Sequence, residues 1–216
     1  MKKSVIAISA LVAVLGTTAC TSSTSSETEG TLNPMEEVAD ASAGTSYRTV
    51  EVGALYDIAV PDFMFSTSAV SDDASLQYNN LYKEKYVIVV DEPKDEFVEA
   101  FEELGLYDSV QSVLDNYALA RFTLLSEGAE VLEESGVTSM DINGLPGRVK
   151  SYDANVFGVP ETVSYFLGFV EGEEQLYMIM AWTLKSRKDD YVNEAMTMIK
   201  SFREKDTAET ETSEKR

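Results

Sequence analysis

Three observations predict an α+β fold: a mainly antiparallel central sheet with helices over both of its faces. The stretch from Glu161 to Phe202 reads as a hairpin closed by a helix. In it Tyr165, Leu167 and Phe169 alternate, Glu171-Gly172-Glu173-Glu174 makes a polar turn, and Leu176 to Trp182 returns almost wholly apolar. Val87-Ile88-Val89-Val90 is an unbroken apolar run, the pattern of a central strand covered on both sides, so two layers of helix are needed. Finally, a group of short strands is followed by two helical stretches and then by a second group of strands with tight turns. That order indicates α+β rather than alternating βα units.

Taken in order, Tyr47 to Val52 and Tyr56 to Val60 are short strands, the second stopped by Pro61 and Asp62. Phe63 to Ser75 reads as a loop that dips two aromatics into the core, with Ser71-Asp72-Asp73 at its exposed turn. Leu76 to Asn80 and Tyr86 to Val90 are the next strands. Pro93 opens a helix whose stripe is Phe97, Ala100, Phe101 and Leu104, ended by Gly105. A second helix is predicted over about Asp108 to Glu127, with Val110, Val113, Leu114, Tyr117, Leu124 and Leu125 inward and Gly128 as its stop. Ala129 to Gly136 reads as a connector, Val137 to Ile142 as a strand, Asn143-Gly144-Leu145-Pro146-Gly147 as a turn, and Arg148 to Val156 as a longer strand. After the hairpin, Ser186 with Asp189 reads as a capping box for a last helix carrying Val192, Ala195, Met196, Ile199 and Phe202.

The N-terminus carries an address. Met1, Lys2 and Lys3 form a basic start, and Val5 to Leu15 is an apolar run broken only by Ser9. At about eleven residues it is too short to span about 30 Å of hydrocarbon as a stable helix, but it suits a signal-peptide core. Gly16, Thr17, Thr18 and Ala19 lead into Cys20, the only cysteine of the chain. One cysteine forms no intrachain disulfide, so attachment is its natural chemistry. This stretch resembles a bacterial lipoprotein signal, in which cleavage before the cysteine follows transfer of diacylglycerol to its sulfur. Thr17 stands where the most familiar lipobox has Leu, and the looser pattern is similar to that of Bacteroidetes lipoproteins. The competing reading is an ordinary secretory cut at the same bond, leaving a free thiol.

The organisation expected is therefore a signal at 1–19, a lipidated Cys20 with a flexible tether over 20–46, one domain over 47–205 and a charged, Thr-rich disordered tail over 206–216. Residues 21–46 are rich in Ser, Thr, Glu, Gly and Ala. They offer little to bury, and as a random coil would reach about 28 Å, enough to hold a domain clear of the lipid headgroups. Attachment to the membrane is through lipid, with the domain in the periplasm or exposed at the cell surface.

Within the domain, Tyr56-Asp57-Ile58-Ala59-Val60-Pro61, the strand from Tyr86 running into a helix, the Asn143 to Gly147 turn, Ala181-Trp182-Thr183 and Met198-Ile199-Lys200-Ser201-Phe202 resemble the Mog1/PsbP-like fold, an α/β/α sandwich. That family includes a Ran-binding protein, an extrinsic photosystem II subunit and bacterial envelope lipoproteins. The resemblance lies in core and turn positions, so it implies a fold and transfers no active site.

Composition narrows the function. The chain has 216 residues, 44% of them hydrophobic, with a formal net charge of -21 and no histidine. The charge opposes nucleic acid and charge-driven membrane binding. Without histidine there is no Ser-His-Asp or Cys-His machinery, no HExxH zinc site and no imidazole shuttle. A carboxylate pair of the glycosidase type is the remaining catalytic option. Ser71-Asp72-Asp73, Asp141 with Asn143 and Asp153 with Asn155 fall short of a calcium loop and read as turn residues. Tyr165, Phe166, Phe169, Tyr177 and Trp182 read as core more than as a ligand cleft, although Tyr177 or Trp182 could place a polar tip at the sheet edge. Arg121 and Arg148 read as partners of nearby carboxylates. No catalytic residue, metal or cofactor is expected. The leading expectation is a non-enzymatic, lipid-anchored envelope protein that binds another envelope protein. The alternatives are a small-ligand carrier with a cleft between sheet and helix, and a carboxylate hydrolase.

Overall fold

A computed structural model describes residues 44–205. Cys20, the signal, nearly all of the tether and the tail lie outside the described residues. The chain runs β1 (Tyr47–Val52), β2 (Tyr56–Pro61), β3 (Phe65–Ser66), β4 (Leu76–Asn80), β5 (Lys85–Pro93), α1 (Lys94–Glu103) and α2 (Val113–Glu127). It continues with β6 (Ala129–Glu134), β7 (Thr138–Ile142), β8 (Leu145–Val156), β9 (Val163–Glu171), β10 (Gln175–Leu184), a 3-10 turn (Lys185–Arg187), α3 (Val192–Ser201) and β11 (Arg203–Glu204). The large sheet has the order β3-β4-β5-β10-β9-β8-β6 with β7 also on β8, and a small sheet has the order β1-β2-β11. Every pairing among the described residues is antiparallel.

The predicted hairpin is the centre of this arrangement. β9 and β10 pair over nine residues, from Leu176↔Glu171 to Leu184↔Val163, and β10 continues the sheet into β5. Val87 to Val90 are buried as the unbroken run requires. Strand alternation then sends neighbours to opposite faces. Val87, Val89, Phe166, Val170, Tyr177, Ile179 and Ala181 pack with β2 and with Ala195, Met198 and Ile199 of α3. Tyr86, Ile88, Val90, Leu167, Phe169, Met178 and Met180 pack instead with Phe97 of α1 and Leu114, Tyr117 and Ala118 of α2. The α/β/α expectation is thus met in part. The fold is sheet-rich with three helices, and much of the layer beside α3 is the small sheet rather than helix.

Two close approaches fix α3. A Cβ at Gly168 would stand 2.6 Å from Ile199 Cγ2, so the missing side chain is what lets the helix lie on β9. At the other end, Asn143 Nδ2 donates to Lys200 O at 3.0 Å and Phe202 O at 2.7 Å, supplying the last carbonyls of the helix. Asn143 and Gly144 have φ of 53° and 90°, the backbone of a two-residue hairpin loop between β7 and β8.

Several boundaries differ from the sequence reading. α3 starts at Val192 with Tyr191 before it and no side-chain cap, and Ser186 lies in the 3-10 turn, so the expected capping box does not form. Residues 129–134, read as a connector, form β6, because pairing with β8 satisfies a segment whose own side chains are mostly exposed. The 63–75 loop buries Met64 and leaves Phe65 66% exposed, so only one aromatic, Phe63, turns partly inward. α2 begins at Val113, five residues later than expected, and Val110 is exposed.

Candidate functional site

α2 is where sequence and structure disagree in the most informative way. Its inner residues Leu114, Tyr117 and Ala118 are buried, while Leu119 and Leu124 turn away from the sheet and Ala120 sits at the edge of the core. They meet Phe101 of α1 and Leu106 of the connection to form an open groove of about 260 Å³, completed by Asn116, Thr123 and Glu127. Leu119 is 57% exposed and Leu106 63% exposed. Leu124, assigned to the inner face from spacing, therefore lines the outer one. The signal that could have found the groove is a helix apolar on both sides, which a single buried face does not explain.

The walls of the groove are held from below. Ser112 caps α2, accepting from Asp115 N at 3.1 Å. Asp115 receives Arg148 Nε at 2.7 Å and Nη2 at 3.2 Å, a two-point ion pair that ties the start of α2 to β8. Hydrogen bonds from Arg148 and Ser112 hold the Asp115 carboxyl below the usual carboxylate range. Arg121 Nε reaches Glu92 Oε1 at 2.9 Å, tying the middle of the helix to β5. Both arginines thus pair with carboxylates, as their isolation in an acidic sequence suggested. Asn116 closes the connection: its Oδ1 accepts from Asp108 N at 2.9 Å, and its Nδ2 donates to Asp108 O at 2.9 Å and Ser112 O at 3.0 Å. At Gly105 φ is +68°, which lets the chain turn sharply out of α1 and present Leu106.

The candidate aromatics do not line one cleft. Tyr165, Phe169 and Trp182 face the α1–α2 side, whereas Phe166 and Tyr177 face α3, and all five are buried. Tyr152, Tyr165, Trp182 and Tyr86 are register partners across β8, β9, β10 and β5, and their rings form a continuous row. Burial pushes the Tyr165 hydroxyl up to about 12. Tyr177 does present a polar tip, donating to Glu204 Oε1 at 2.9 Å. The groove lies between α1 and α2, lined by Phe101, Leu106 and residues of α2, and no strand residue lines it as a sheet–helix cleft would require.

The calcium-like segments have structural partners. Ser71 Oγ accepts from Asp73 N at 3.3 Å, and Asp141 Oδ1 accepts from Gly144 N at 3.0 Å, both local turn bonds. Asp153 is buried beside Ser164, while Asn155 is exposed and bonds Glu130 and Thr162. Among the described residues, no group of three or more His, Cys, Asp or Glu side chains could hold a metal ion. The groove itself contains one carboxylate, Glu127, and so lacks the pair that a glycosidase-type mechanism uses.

A second polar feature crosses the α3 side of the sheet. Asn80, Lys85, Thr183, Ser164 and Asp153 are all buried near one end of β4, β5, β10, β9 and β8. Lys85 pairs with Glu194 and donates to Asp190 O at 2.9 Å. Asp153 takes Ser164 Oγ at 2.7 Å and Lys188 Nζ at 2.9 Å, with Lys185 Nζ at 3.0 Å. These contacts fasten the 185–191 segment across the end of the sheet.

The fold is similar to that of PsbP and Mog1. Cyanobacterial PsbP from Synechocystis aligns with a TM-score of 0.49 and 13% identity, over 80% of this chain and 98% of that one. LpqN, involved in cell envelope biogenesis of Mycobacterium tuberculosis, gives a TM-score of 0.49 and 11% identity over 76% of this chain and 94% of its own. The Ran-binding protein Mog1p of Saccharomyces cerevisiae gives 0.47 and 14%, over 76% and 98%. No family model and no curated protein sequence matches the chain. The activities of these neighbours are not transferred with a shared fold.

Proposed function

We propose that the chain is a lipid-anchored envelope protein that works by binding, and that the α1–α2 groove receives an apolar segment of another envelope protein. The observation that carries this reading is the outward apolar wall of α2 facing Phe101 and Leu106. Its volume, about 260 Å³, falls below the range of about 300–1,000 Å³ usual for small-molecule sites. It suits a few inserted side chains better than a carried ligand. Glu127 in the lining, and Glu102 and Glu103 next to Phe101 in α1, favour a partner whose apolar face is flanked by lysine or arginine. The anchor is supported by the basic start, the short apolar run and Cys20 after small residues.

The test is capture from envelope extract with the acylated protein and with Leu119→Arg. The proposal expects a partner that is retained by the native chain, lost with Leu119→Arg, and released by salt because of its basic flanks. Capture unaffected by Leu119→Arg would remove the groove from the function. Mass spectrometry of the mature N-terminus checks the anchor separately: diacylglycerol mass on Cys20 supports it, and a free thiol there overturns it.

A further inference from the structure

The described chain begins at one particular end of the large sheet. Thr45 Oγ1 donates to Glu194 Oε1 at 3.1 Å, and Glu194 pairs with Lys85 at the start of β5. The register pairs Asn80↔Lys85, Ala154↔Val163 and Leu184↔Val163 place three connections at this same end: 81–84, 157–162 and 185–191. They touch one another. Arg187 Nη1 donates to Lys83 O at 3.4 Å, and Lys185 N donates to Thr162 O at 2.8 Å.

The tips of these connections are unusual for turns, which favour Gly, Asn, Asp and Ser. Tyr82 is 95% exposed, Phe157 93% and Leu81 64%. Beside them stand Lys83, Lys85, Lys185, Arg187 and Lys188, interleaved with Glu84, Glu133, Asp153, Glu161, Asp189, Asp190 and Glu194, so that most of the acidic charge at this end is ion-paired. The opposite end is different. Glu171, Glu173, Glu174, Glu204, Asp95 and Glu96 gather there around Lys94, while the neighbouring Lys205 is taken by Glu51 and Asp57. Both ends are acidic, the far one more so, and the tether adds Glu27, Glu29, Glu36, Glu37 and Asp40. An anionic bilayer therefore repels the far end more strongly than the near one, and approach of the near end rests on its apolar tips.

We infer that this near end rests on the bilayer surface, with Tyr82, Phe157 and Leu81 in the headgroup region. The inference rests on the lipid-anchor reading, because the tether supplies the high local concentration that lets three apolar tips suffice. Aromatic rings at headgroup level, flanked by basic side chains, are the chemistry that interfacial positions favour. Docking this way turns the more acidic end outward and leaves the α1–α2 groove free for a partner.

The experiment uses the full processed protein in vesicles of equal parts phosphatidylethanolamine and phosphatidylglycerol. An acylated Cys20 leaves no free thiol, so Ser186→Cys and Glu173→Cys each accept one fluorophore, at the near and far ends. Flotation with the vesicles reads the anchor, and quenching by headgroup-labelled nitroxide lipid reads the docking. The expected result is flotation of both, quenching at 186 without quenching at 173, and loss of the quenching at 186 in Tyr82→Ser/Phe157→Ser although that variant still floats. Flotation with equal response at the two ends overturns the docking and leaves the anchor standing. Failure to float overturns the anchor and the docking with it. A probe at 186 that is shielded only after envelope proteins are added assigns this end to a protein and overturns the inference.

Discussion

Thr183 and Asp153 belong to the same buried polar row, yet they answer differently to substitution. The Thr183 hydroxyl is buried without a hydrogen-bond partner. A hydroxyl removed from water and left unpaired costs stability, while valine keeps the shape. Thr183→Val is therefore expected to leave stability unchanged or raise it by about 1 kcal/mol in urea denaturation; a clear loss would reveal a partner for the hydroxyl. Asp153 has partners. Burial pushes its carboxyl up, but hydrogen bonds from Ser164, Lys188 and Lys185 outweigh that and hold it below the ordinary value. A carboxylate depressed in the folded state stabilises above its unfolded value, near about 3.9, and loses that contribution as pH falls through the folded one. Asp153→Asn is expected to lower stability at neutral pH by about 2 kcal/mol and to flatten the acid limb below about pH 4. An acid limb identical to that of the native chain would show that Asp153 does not contribute to it. The pairing of Arg121 and Arg148 was legible in the sequence because isolated cations in an acidic chain find carboxylates. Asp153 was not, because nothing local announces that two lysines more than thirty positions away cover it.

At the scale of elements, the contact between β9 and α3 depends on one absent methyl. Gly168→Ala would place a Cβ against the stiff, β-branched Ile199 and push the helix from the sheet. A loss of about 1–3 kcal/mol is expected, the range for an overpacked core, measured as a lower urea midpoint with the slope unchanged. An unchanged midpoint would mean that α3 is free to shift. The hairpin, the central strand and the Asn143-Gly144 turn were readable because period-two alternation and αL-tolerant residues are local signals. The start of α3 was misplaced for a different reason. Ser186 and Asp189 fit a capping pattern, but the segment they occupy is held across the sheet end by Lys185, Lys188 and Asp190, and that tertiary tie outweighs the local preference. β6 escaped notice because most of its residues are exposed, so its sequence lacks the alternation that marks a half-buried strand.

For the whole molecule, the sequence disclosed the fold class and an address more readily than a surface. Composition reports total charge but not its placement, so neither the acidic cluster of the far end nor the apolar tips of the near one could be inferred before the strands were put in register. The groove was hidden by the opposite problem: Leu119 and Leu124 look like ordinary core until α2 is seen to have only one side against the sheet. The aromatic row has a consequence for anyone handling the protein. Trp182, the chain's sole indole, is 3% exposed and lies 5.1 Å from Tyr86 with an interplanar angle of 7°. Such an indole emits toward the blue and collects excitation from the phenols stacked beside it. Opening the sheet would shift that light to longer wavelength and end the transfer, so the domain contains its own optical gauge of unfolding.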